Sequence, residues 1–130
     1  MKILVGYDRT DEAGRALELA IKHAKMFGAK VIVLTSRSTG AEEDLPEIEN
    51  DEALLESAEK KVKEAGVECE THLMIRGATP AEDLIDFAED NGVDEIIVGI
   101  AKKSRVGKLI FGSNAQYVIL NAPCPVVTVQ

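Results

Sequence analysis

The chain has 130 residues, 45% of them hydrophobic and 29% charged, and a formal net charge of −8. That length suits one domain, and that composition excludes both disorder and a fibrous repeat. So acidic a surface repels nucleic-acid phosphates and anionic lipid, which argues against nucleic acid or a membrane as partner.

The opening Met1-Lys2-Ile3-Leu4-Val5-Gly6 moves straight into a strand-like run and lacks the apolar core and cleavage site of a signal peptide. No stretch of about 18 apolar residues is present to span a bilayer. Cys69 and Cys124 form no CxxC pair and no cluster with His23 or His72, so no metal site is indicated and reduced thiols in a cytoplasm are expected.

In chain order, Ile3 to Tyr7 reads as a buried strand, followed by a helix from Asp11 to Phe27 that carries Ala13, Leu17, Ala20, Ile21 and Ala24 at helical spacing and stops at Gly28. Val31 to Thr35 is a second strand. Arg37 to Asn50, with Gly40 and Pro46, is expected to be a mobile acidic connection. A second helix should run from Asp51 to Ala65, ending at Gly66. Val67 to Ile75 is a third strand. Thr79-Pro80-Ala81-Glu82 is a capping box with proline at the first helical position, opening a helix that ends at Asn91-Gly92. Glu95 to Gly99 is a fourth strand, Ser113 to Leu120 a fourth helix, and Val126 to Val129 a last strand after Pro123-Cys124-Pro125.

Strands alternating with helices predict an α/β fold, a doubly wound five-stranded parallel sheet in the order 3-2-1-4-5 with helices on both faces, as one domain over residues 1–130. Ligands bind such sheets beyond the carboxyl ends of the strands, where the winding reverses, here between the first and fourth strands.

The loop from Gly99 to Ser113 meets that point and inverts the local charge, with Lys102, Lys103, Arg105 and Lys108 on an otherwise acidic chain. Gly99 ends a strand and Gly112-Ser113 opens a helix, an arrangement that receives a phosphate on backbone amides and a hydroxyl. The same residues also read as a plain turn and a helix cap, and spacing alone leaves both open. A P-loop is excluded, because Lys102 and Leu109 stand where its first glycine and its Ser or Thr belong. Gly6-Tyr7-Asp8-Arg9-Thr10 is not a GxGxxG fingerprint, which removes a nicotinamide dehydrogenase.

From end to end the chain resembles the universal stress protein family. The resemblance rests on Ile3 to Asp8 with Ala16-Leu17 and Ala20, on Arg76 to Glu82, on Asp94 to Gly99, on Gly112-Ser113, and on Pro123 to Val129. ATP-binding members carry a glycine, a second glycine three residues on, and a Gly-Ser or Gly-Thr pair after nine more. Gly99, the spacer 103–111 and Gly112-Ser113 match, and Lys102 replaces the second glycine. A side chain there either obstructs the phosphates or pairs with them.

The resemblance implies an ATP-binding stress-response or signalling module, with Mg²⁺ accompanying the ATP, and a homodimer through Val126, Val127, Thr128 and Val129. It places Asp8 near the adenosine, Ser36 where the second strand presents backbone to adenine, and Gly77 in the turn bordering the site, alongside Gly99, Lys102, Gly112 and Ser113. Asp8 reads equally as a turn former or cap, and Gly77 as a purely conformational glycine. Neither histidine and neither cysteine falls at the expected crevice, so no catalytic apparatus is legible and hydrolysis of a bound nucleotide is at most slow. Two alternatives stand beside the ATP-binding reading: a dimeric stress protein that acts by protein interaction without nucleotide, and a slow nucleotide hydrolase.

Overall fold

The computed structural model describes residues 1–37, 45–101, 103–105, 108–110 and 112–130, of which 103–105 and 108–110 are described through the backbone alone. In chain order the elements are β1 (Lys2–Gly6), α1 (Asp11–Phe27), β2 (Lys30–Arg37), α2 (Leu45–Glu64), β3 (Cys69–Ile75), α3 (Pro80–Asn91), β4 (Glu95–Gly99), β5 (Lys103–Arg105), β6 (Lys108–Ile110), α4 (Ser113–Asn121) and β7 (Val126–Val129).

The main sheet has the order β3-β2-β1-β4-β7 with every pair parallel, which is the expected 3-2-1-4-5 arrangement. Alternation along the strands sends side chains to two cores. Ile3, Val5, Val31, Val33 and Ile97 face α1 and α2, where they meet Leu17, Ala20, Leu55 and Val62. Leu4, Ile32, Leu34, Ile96 and Val98 face the other way, against Leu84, Ile85, Phe87 and Val118 of α3 and α4. Strands covered on both faces need continuous apolar runs, which is why β1 and β4 were readable as strands at all.

The helix ends follow from local chemistry. Thr10 caps α1 by accepting from the Ala13 amide at 3.2 Å, and Gly28, at φ 67°, closes it with a bond to the Ala24 carbonyl. Thr79 caps α3 through the Glu82 amide, 3.2 Å away, with Pro80 at the first helical position. The reciprocal bond of this cap runs from the Thr79 hydroxyl to Glu82 Oε1, 3.0 Å, instead of from the Thr79 amide.

Two expectations need correction. α2 starts at Leu45 rather than Asp51, so 45–50 is helix and not connection. Pro46 is compatible with this start: in a helix's first turn, proline lacks only an amide that would be unbonded anyway. Arg37 then binds this turn down, with Nη1 2.7 Å from Glu47 Oε2 and Nε 2.6 Å from Asp51 Oδ2, four residues apart on one helix face. The second correction is the antiparallel pair β5 and β6, which joins Lys103 to Ile110 and Arg105 to Lys108 in what was expected to be an open loop. Three-residue strands are too short to leave a periodic signal.

Candidate functional site

β1 stops at Gly6 while β2 runs on to Arg37, and this mismatch opens a crevice at the carboxyl ends of the central strands. A cavity of about 450 Å³ lies there, in the size range of small-molecule sites. It sits between β1 and β4, where the winding reverses, as the topology predicts.

Its floor is the β1 end and the loop after it. The Tyr7 amide donates to the Leu34 carbonyl at 2.8 Å, and the Tyr7 carbonyl accepts from Thr35 Oγ1 at 2.9 Å. Asp8 Oδ1 accepts from the Thr10 amide at 2.9 Å and from the Thr10 hydroxyl at 2.5 Å. Asp8 is therefore the turn former and Thr10 the helix cap.

One side wall is β2 with α2 and α3. The last β1 pairing is Gly6 with Leu34, so the peptide groups of Ser36, two residues further along the same edge of β2, project past the end of β1 into the crevice. The Ser36 hydroxyl points the other way, donating to Asp83 Oδ2 on α3. Arg37 and the half-exposed Arg9 both reach Asp51 of α2, Arg9 at 3.6 Å. The Asp51 hydrogen bond holds the Arg37 guanidinium above its ordinary pKa, against the pull of burial. Leu54 of α2 and Leu84 of α3 supply apolar surface.

The opposite wall is β4 with α4. Gly99 has a packing reason to be glycine: a Cβ there would stand 2.5 Å from the Glu12 carbonyl oxygen and 2.7 Å from the Ala13 amide nitrogen, so α1 crosses against bare backbone. Gly112 has none. Its φ of −63° suits any residue, and among the described residues a Cβ would meet nothing within 4 Å. Gly112 is the N-cap of α4 yet provides no side-chain cap, and Ser113 is the first helical residue, so Ser113 does not cap the helix. The first turn of α4 also holds no acidic residue, whereas α1, α2 and α3 each carry Asp or Glu there. In an acidic chain, no acid of its own first turn and, among the described residues, no side-chain cap satisfies the positive end of α4.

Of the residues singled out from sequence, Asp8, Ser36 and Gly99 line the cavity. Gly112 and Ser113 sit beside it, immediately before Asn114 and Ala115, which do line it. Gly77 does not line it, and its φ of 72° gives it a conformational reason to be glycine. Lys102 lies outside the described residues. The sequence reading missed Arg9, Arg37 and Asp51; the i, i+4 acids Glu47 and Asp51 were the available signal, hidden by treating that stretch as loop. His23 pairs with Glu95 at 2.7 Å at the amino end of β4, and the His72 ring packs on Phe87 at 4.9 Å, both away from the crevice. Burial pushes the Cys69 thiol up to about 11, so it is protonated and unreactive at neutral pH. Among the described residues no group of three or more His, Cys, Asp or Glu is placed to hold a metal, and no helix is long and apolar enough to cross a membrane.

Fold and crevice together define a doubly wound α/β protein with a crevice at the switch point of its sheet. The chain belongs to the universal stress protein family, whose model it matches over residues 1–130. It is 37% identical over 135 residues to the Thermus aquaticus universal stress protein in the QAH/OAS sulfhydrylase 3′ region, covering 98% of this chain and 97% of that one. A universal stress protein from Archaeoglobus fulgidus superposes with a TM-score of 0.88 at 36% identity, over 100% of this chain and 93% of that one. A universal stress protein structure from Archaeoglobus fulgidus in complex with dAMP superposes with a TM-score of 0.81 at 33% identity, covering 100% and 98%.

Proposed function

We propose that the chain binds an adenine nucleotide, ATP with its Mg²⁺ or a shorter relative, in the crevice and acts as a stress-response or signalling module. The adenine lies along the end of β2 against the Ser36 peptide groups, and the ribose lies beside Asp8. The phosphates meet Gly99, Lys102 and the amides of Gly112 and Ser113. The N-terminus of α4, acid-free in its first turn and without a side-chain cap among the described residues, carries this reading: such a helix end beside a 450 Å³ cavity attracts an anion. The dAMP held by the Archaeoglobus protein supports it. Calorimetric titration with AMP and with MgATP tests it, with saturable binding expected that weakens as salt screens the charge. No heat and no thermal stabilisation at millimolar nucleotide and low salt would refute it.

Lys102 favours a second reading, in which the chain has lost nucleotide binding and works only through protein contacts. Retained nucleotide in gently purified protein, seen by mass spectrometry, separates the two.

The same proposal includes a homodimer through β7. Val126, Val127 and Val129 are half-buried on an edge strand with no charge, bulge or proline within it, and Leu120 of α4 is 80% exposed on the helix leading into it. A two-fold contact pairs this edge with its own copy and closes the assembly. Light scattering should give twice the 14.0 kDa chain mass, and Val127→Asp should shift it toward monomer.

A further inference from the structure

Asp83 of α3 is completely buried, yet it is a carboxylate with few partners. Oδ2 accepts the Ser36 hydroxyl. Oδ1 takes no hydrogen bond, although Arg76 Nε lies 3.3 Å away; that contact is electrostatic and poorly aligned. Arg76 is 42% exposed and spends its better geometry on Asp86, with Nη2 2.5 Å from Oδ2. The one further support is position, since Asp83 stands near the positive end of α3. Desolvating a carboxylate costs several kcal/mol, and an apolar residue packed in its place is often neutral or stabilising. Stability alone is therefore a weak reason for an acid here, and the choice of acid points to something else it does.

Its partner suggests what. Side chains of β2 alternate between the two cores: Ile32 and Leu34 face α3, and Ser36 follows them. The Ser36 hydroxyl is thus fixed under the sheet while its peptide groups project into the crevice. Asp83 also belongs to the helix whose Pro80, Ala81 and Leu84 form part of the cavity wall. One buried bond therefore ties the wall of the pocket to the strand end that faces the base.

We infer that Asp83 is a positioning residue for base selection: by holding Ser36 Oγ, it fixes the peptide groups of β2 that read the Watson–Crick edge of the bound purine. The inference rests on the nucleotide reading above. A peptide N–H and C=O match adenine, whose N1 accepts and whose N6 donates. Hypoxanthine reverses both, so a rigid strand end discriminates AMP from IMP and a loosened one does not.

The test is titration of the wild-type chain, Asp83→Asn and Ser36→Ala with AMP and IMP, with circular dichroism and thermal melts to establish folding. Wild type should prefer AMP. Asp83→Asn should lower the AMP to IMP affinity ratio about tenfold by weakening AMP while leaving IMP unchanged. Ser36→Ala removes the same bond from its other end and should give the same change, and it carries the test if Asp83→Asn does not fold. Equal weakening of both nucleotides, or an unchanged ratio in a folded variant, overturns the inference while leaving nucleotide binding intact. A wild-type chain that binds neither nucleotide overturns the reading of the crevice and this inference with it.

Discussion

The two walls of the crevice are built on opposite terms. On the β2 side the polar groups are matched to one another: Thr35 to Tyr7, Ser36 to Asp83, Arg37 to Glu47 and Asp51. On the α4 side Gly112 caps nothing and the first helical turn carries no acid. A wall whose side chains are bonded to one another holds a shape; a helix end with no acid in its first turn favours a negative charge. Under the proposed function the first wall takes the base, through the Ser36 peptide groups, and the second takes the phosphate.

The two glycines of the α4 side sharpen this contrast most. Gly99→Ala drives a Cβ into the α1 backbone, which cannot move aside as a side chain does. The expected cost is about 3 kcal/mol, read as a lower urea midpoint. Gly112→Ala meets nothing among the described residues, so stability should change by less than about 1 kcal/mol. Nucleotide affinity should nonetheless fall about tenfold if the phosphate approaches that backbone. A large stability loss at Gly112, or none at Gly99, would erase the distinction between them.

Asp51→Ala attacks the other wall. Its side chain is 7% exposed and holds Arg37 and Arg9 together, but both arginines reach solvent. A loss of about 2 kcal/mol is expected, below that for a fully buried pair. Equilibrium unfolding measures it, and no loss would mean that Glu47 alone secures α2. The smallest effect belongs to Ser113→Ala. Ser113 caps nothing, so melting should be unaffected while affinity for AMP drops about threefold to fivefold, the contribution of one hydroxyl to a phosphate. Lower stability with unchanged affinity would restore the plain-cap reading.

The closed wall was the harder one to read from sequence. Ser36 was found by resemblance, but its partner Asp83 lies 47 residues away, and the Arg37–Asp51 pair spans 14; burial of an acid has no local signature. On the other wall, Gly99 and Gly112-Ser113 bracket the single segment between β4 and α4, and their spacing is itself the sequence signal. The strand order was legible for a similar reason. Continuous apolar runs alternating with capped helices leave few right-handed windings to choose from. The α2 start and the β5–β6 pair escaped because each depends on contacts outside its own segment or is too short to show a period.

The most direct test of the central claim is a structure of the chain with AMP bound. The account predicts adenine against the peptide groups of Ser36, the ribose beside Asp8, and the phosphate on the amides of Gly112 and Ser113 at the start of α4. Nucleotide bound elsewhere, or a phosphate drawn to Arg9 and Arg37 instead, would contradict it.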